Sequence, residues 1–161
     1  MQPIWKKLLL FIFLSLGLIG CSEEKPNGLP KLYSVSLQFT QDGIPCEGAS
    51  AHLDSQDGSP WTVGGSTDAT GTVAFKTHGK FVGVPSGKYK VTVSKVEREE
   101  VGPPPKNMYK SQEIVMYDLI DPIYSNPKTT PLEIEVLPDK KFLESFDLGK
   151  KIRVKVVKPG E

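Results

Sequence analysis

The side chains able to do covalent or metal chemistry are few and lie far apart. Two cysteines, Cys21 and Cys46, and two histidines, His52 and His78, stand in a chain of 161 residues. A zinc peptidase needs clustered ligands such as His-x-x-Glu with a further distant histidine, and His52 is followed by Leu53, Asp54 and Ser55, so that spacing fails. Cys46 with a histidine would supply nucleophile and base, but no motif surrounds the cysteine and nothing supplies the third, orienting group. Asp42, Asp54, Asp57 and Asp68 carry hard oxygen ligands for calcium. Their runs lack the EF-hand order, and in segments such as TQDGIP and STDATG such carboxylates cap turn amides. The expectation is a chain without a catalytic group, metal site or cofactor.

Residues suited to contact are more concentrated. Between Glu97 and Tyr124 the chain carries Pro103-Pro104-Pro105, expected to be extended as polyproline II, followed by Met108, Tyr109, Met116, Tyr117 and Tyr124. Two readings stand for this elaboration: a partner contact, or a loop folded back over an open end of the domain. Lys110 to Leu119 is expected to form a short helix. Trp61 offers a flat ring, and with nearby tyrosines would stack on a sugar.

The elements that must position these groups read as strands. Tyr33, Val35, Leu37 and Phe39 alternate with Ser34, Ser36, Gln38 and Thr40, the period of a half-buried strand. Ala49, Ala51 and Leu53 repeat the pattern and turn His52 outward. The connection Thr67 to Gly71 leads into Val73 and Phe75, inward, against Thr72, Ala74 and Lys76. Tyr89, Val91 and Val93 form the next buried row, then Leu132, Ile134 and Val136, then Phe142, Phe146 and Leu148. Ile152, Val154 and Val156 close the series with Arg153, Lys155 and Lys158 outside. About seven strands at such spacing describe an antiparallel β-sandwich. The basic C-terminal run is expected to protect an edge strand.

Twenty Lys and Arg against nineteen Asp and Glu leave a net charge of +1, which argues against nucleic acid as a partner. Lys6 and Lys7 precede an apolar run from Leu8 to Ile19, too short to span a bilayer comfortably but suited to a signal-peptide core. Leu18-Ile19-Gly20-Cys21 resembles the lipobox of bacterial lipoproteins. The resemblance implies cleavage between Gly20 and Cys21, lipid on the Cys21 sulfur and an acylated new amine. Several acyl chains, each gaining about 0.8 kcal/mol per buried CH₂, would hold the product on a membrane without spanning it. Residues 1-20 are thus read as signal peptide, 21-30 as a flexible tether and 31-158 as the folded domain. Ser22 is compatible with sorting to the outer membrane, facing the periplasm or the surface. With Cys21 lipidated, Cys46 has no disulfide partner and is expected to be buried.

DGIPCEGASAHL, GGSTDATGTVAFKT and PSGKYKVTVSK together resemble carboxypeptidase regulatory-like domains, and PIYSNPKTTPLEIEVLPDKKFLESFDL is similar to the C-terminal part of small bacterial lipoproteins that carry one. The resemblance implies a seven-stranded, transthyretin-like Greek-key sandwich and no particular reaction. Transthyretin-like hydroxyisourate hydrolases end in YRGS, whereas this chain ends VVKPGE, which excludes that activity. The expected role is a non-enzymatic, lipid-anchored envelope module that binds or supports a protein or polysaccharide, with carbohydrate binding in a surface glycan system as the alternative and a small envelope enzyme as the weakest.

Overall fold

The computed structural model describes residues 25–102, 112–138 and 141–156. The expected signal peptide, its Gly20–Cys21 junction, the lipidation site, and Met108 and Tyr109 lie outside the described residues. Of the expected tether, residues 25–30 include a turn in which the Leu29 N–H donates to the Pro26 carbonyl at 3.1 Å.

In chain order the strands begin with β1 (Leu32–Tyr33), β2 (Val35–Gln41), β3 (Ile44–Pro45), β4 (Ser50–Ser55) and β5 (Val63–Ser66). There follow β6 (Thr72–Ala74), β7 (Lys76–Thr77), β8 (Phe81–Val82), β9 (Val84–Pro85) and β10 (Gly87–Ser94). β11 (Val96–Val101), β12 (Glu113–Asp118), β13 (Glu133–Val136), β14 (Phe142–Asp147) and β15 (Val154–Lys155) follow, with a single 3-10 turn among the described residues at Pro122–Ser125. The fold is all-β, and its sheets are open. Six strands run β13-β10-β4-β5-β7-β8, all antiparallel. A second sheet runs β14-β2-β3 with β6 also on β2, and a third runs β11-β12-β15. β1 pairs with β9 alone.

The period-two reading explains where the core sits. Val35, Leu37 and Phe39 of β2, Ala51 and Leu53 of β4, and Tyr89, Val91 and Val93 of β10 are buried in one apolar cluster, together with Val73, Phe75, Ile134, Val136 and Leu148. The expected Thr72 to Lys76 strand has its predicted faces, but it is divided: β6 pairs with β2 and β7 with β5, so the chain changes sheets at the buried Phe75. This cluster between two facing strand sets is compatible with a sandwich. Ahead of β6, the Asp68 carboxylate accepts from the Thr70 and Thr72 amides at 2.8 and 3.0 Å. Gly71 follows at φ 73°, where a Cβ would stand 2.4 Å from the Phe39 carbonyl oxygen, so the turn needs glycine for both its conformation and its close approach to β2.

Two expectations are corrected. The segment read as a helix from Lys110 to Leu119 is the strand β12 over its described residues, paired antiparallel with β11 from Val96↔Asp118 to Val101↔Glu113. Val115, Ile114 and Tyr117 are β-branched or aromatic and suit a pleated surface, and the neighbouring VEREEV supplies the matching strand. The last strand is also shorter than its alternation suggested: only Val154 and Lys155 pair, and Val154 is half exposed rather than inward. Its sheet lies apart from the apolar cluster, so alternation there does not report a buried side. β14 supplies an unexpected orientation, running parallel to β2 from Phe142↔Val35 to Asp147↔Thr40.

Candidate functional site

The β11-β12-β15 sheet takes most of β11 and all of β12 from the elaboration between Glu97 and Tyr124, expected as a loop with a short helix, and β15 from the C-terminal run expected as a strand. Directly opposed residues of an antiparallel pair share a face, so the register divides the sheet cleanly. On one face lie Glu97, Glu99, Val115, Tyr117 and Lys155. Arg153 crosses this face: its Nε donates to Glu97 at 3.1 Å, its Nη2 to Glu99 at 2.5 Å, and its guanidinium lies 3.6 Å from the Tyr117 ring centroid. The hydrogen bond from Arg153 holds the Glu99 carboxyl below the usual carboxylate range, and the two glutamates raise Arg153 in turn. The arginine therefore straps β15 to β11 across the intervening strand. Its signal in the sequence, an arginine between alternating residues and a distant Glu-x-Glu, has no meaning until the strands are paired.

The opposite face carries Val96, Arg98, Glu100, Ile114, Met116, Asp118 and Val154. Val96, Ile114 and Val154 are 48, 53 and 50% exposed and join through Met116 into an apolar stripe open to solvent, with Asp118 between the two valines. Exposed apolar groups gathered on one face mark interaction surfaces more often than singly scattered ones. Tyr117 is therefore covered by Arg153 on its face of the sheet. Tyr124 is half-buried against the core, held by a turn in which Asp121 accepts from the Ile123 N–H at 2.9 Å. Of the aromatic residues picked from sequence, the described ones are engaged within the fold, and the exposed apolar contacts are aliphatic neighbours.

The outer face of the six-stranded sheet holds a shallow groove of about 350 Å³, lined by Ser50, His52, Thr62, Gly64, Ser66 and Lys76. Pairing sets Thr92, His52, Gly64 and Lys76 in one row across four strands. A Cβ on Gly64 would fall 2.6 Å from His52 Nδ1, so the glycine leaves the depression open. Trp61, half-buried, stands beside it edge-on to His78 with ring centroids 5.1 Å apart, and Thr62 Oγ1 is 3.1 Å from His78 Nδ1. The two histidines lie on this outer side of the sheet, each with its own neighbours.

Cys46 is elsewhere and buried, as its isolation in the sequence predicted. Its thiol donates to Gln41 Oε1 at 3.6 Å. Burial pushes the thiol pKa up, against the opposing pull of Lys95 and Lys151. A buried, protonated thiol is a poor nucleophile. Among the described residues no three His, Cys, Asp or Glu side chains gather as metal ligands, and no helix is long and apolar enough to cross a membrane. Comparison with protein-family models, with curated proteins and with solved structures finds no match to the chain.

Proposed function

We propose that the protein is a non-enzymatic, lipid-anchored module of the bacterial cell envelope: a transthyretin-like Greek-key sandwich, tethered through Cys21, that meets an envelope partner through the β11-β12-β15 sheet. The lipobox-like Leu18-Ile19-Gly20-Cys21 supports the anchor, and the ordered DG, TDxxG and GxYxVxV segments support the topology. The observation that carries the contact role is the solvent-facing stripe of Val96, Ile114 and Val154 on a sheet separate from the core. A charged Ile114→Glu at this half-exposed position should leave the fold intact while spoiling the stripe.

The test has two arms. Cells fed an alkynyl palmitate should label the wild-type chain and leave Cys21→Ser unlabelled; label retained in that variant sinks the anchor. Crosslinking in intact envelopes followed by capture should yield a discrete adduct that Ile114→Glu removes. An adduct indifferent to that substitution sinks the contact surface.

A second reading, accessory binding of a surface polysaccharide, is favoured by the open groove beside Trp61. Its hydroxyl, imidazole and ammonium lining suits a polyhydroxylated ligand lying across an aromatic edge. Retention on an insoluble polysaccharide of the same envelope, lost on Gly64→Val, supports it; equal retention of the variant discards it.

A further inference from the structure

β11 is the terminal strand of its sheet, and all six of its residues are exposed. Which of them offer main-chain groups at the open edge is fixed by the phase of pairing. The Leu119 N–H donates to the Lys95 carbonyl at 2.9 Å, one step before Val96↔Asp118. Main-chain groups alternate sides along an antiparallel strand, so Glu97, Glu99 and Val101 turn theirs to β12. Val96, Arg98 and Glu100 turn theirs outward. The 2.8 Å bond from the Val156 N–H to the Met116 carbonyl, on the far side of β12, has the same phase.

A second copy that adds its own β11 antiparallel at this edge must set outward residues against outward residues. Two-fold axes at Arg98 or Glu99 keep five of the six β11 residues paired, and axes at Glu97 or Glu100 only three. The axis at Arg98 opposes two arginines. With the axis at Glu99, Arg98 of each copy faces Glu100 of the other, and symmetry makes the ion pair twice. Glu97 then faces Val101. The two Glu99 side chains meet at the axis, and each is already paired with Arg153 of its own chain at 2.5 Å, which offsets their repulsion. Among the described residues no ion pair engages Arg98 or Glu100.

We infer that β11 is a self-recognition edge: two copies join β11 to β11 about Glu99, giving a continuous six-stranded sheet with reciprocal Arg98–Glu100 pairs. This rests on the reading of the β11-β12-β15 sheet as a contact surface and names a second copy as the occupant of its edge. The apolar stripe stays on one face of the joined sheet, free for a further protein.

The test uses the full-length protein in its native membranes. Facing residues of a non-hydrogen-bonded antiparallel pair have Cα atoms about 4.5 Å apart, within disulfide range, so Glu99→Cys should give a chain of doubled mass under mild oxidation. Wild type treated alike sets the background from Cys21 and Cys46. Adding Arg98→Glu or Glu100→Arg to the Glu99→Cys chain should each lower the yield roughly tenfold, because two attractive pairs become repulsive. Coexpressing those two chains should restore it, as should the double swap within one chain. No product above background, a yield that ignores the charge changes, or a mixture that fails to restore it overturns the inference. Native mass spectrometry of the chains without Glu99→Cys gives the same comparison free of the new thiol. If self-pairing fails while Ile114→Glu still abolishes the envelope adduct, a different protein occupies the surface and the contact reading survives; loss of both results overturns both.

Discussion

Cys46 shows how a residue with chemical potential is withdrawn from chemistry. At 4% exposure its thiol has Gln41 as a hydrogen-bond acceptor, and the Gln41 amide in turn donates to the Leu119 carbonyl at 3.0 Å. Gln41 thus links β2 to the segment after β12, and the Cys46 thiol holds its side chain, a structural task. Because burial raises its pKa from the ordinary thiol value of 9.0, the unfolded chain ionises first as pH rises. The stability from keeping the thiol neutral is complete below that value and lost as pH climbs through the folded pKa. Tyr89, also raised by burial and by Asp57, adds to the same alkaline decline from its ordinary 10.0. The urea midpoint should therefore fall above about pH 9, and the fall should be shallower in Cys46→Ala. Thiol labelling at neutral pH should be roughly 100-fold slower in native protein than in urea, following the rarity of exposed thiolate. Equal labelling rates in the two states would contradict the burial of Cys46.

At the scale of elements, what was legible is what repeats with period two and faces the core. β2, β4, β10 and β13 each have alternating apolar residues whose inward rows are buried, and Phe142 and Phe146 of β14 pack against the same core partly buried. β5 carries no legible alternation because Gly64 and Gly65 have no side chains, yet Gly64 opens the groove and Gly65 makes room for Val73 on the core side. β11 and β12 are not legible because neither face of their sheet is buried in the core, so VEREEV has no hydrophobic period. Register is instead fixed by β pairing on both sides of β12 and by Arg153. That strap has a pH signature. The hydrogen bond from Arg153 depresses the Glu99 pKa, so its contribution is present above the unfolded carboxylate value and is lost as pH falls through the lower folded one. Arg153→Gln should speed amide exchange in β12 and β15 at neutral pH while leaving β4 and β10 unchanged. Lowering the pH of wild type through the Glu99 titration should shift the Tyr117 ring resonances toward those of the variant. If β4 and β10 exchange faster as well, Arg153 supports the whole fold and is no local strap.

At the scale of the whole molecule, the described fold is closed by a pairing between an early and a late strand. β14 lies parallel to β2, with Phe146 stacked on Phe39 at 6.0 Å between ring centroids, and the buried Leu148 donates its N–H to the Thr40 carbonyl at 2.8 Å. Parallel strands need a long crossover, and here nearly the whole domain is that crossover, so the contact cannot form until the intervening strands are in place. The sequence motifs name the strands but not this partner, since a parallel and an antiparallel β14 would carry the same alternation of Phe142, Phe146 and Leu148. The consequence is that Phe142, Phe146 and Leu148 make β14 part of the core packing, and the strand does not behave as a dispensable edge. Leu148→Ala removes a side chain 2% exposed at the far end of that strand and should cost about 2–5 kcal/mol, the range for burying a cavity in place of leucine. The loss should appear as one cooperative transition moved to lower urea, with far-UV circular dichroism and Trp61 fluorescence coincident. Trp61 lies beside β5, in the other sheet, so coincidence means that the two sheets unfold together. An early dichroism change with the Trp61 midpoint unmoved would instead make β14 a frayed appendage, and the parallel pairing would lose its place as the closure of the fold.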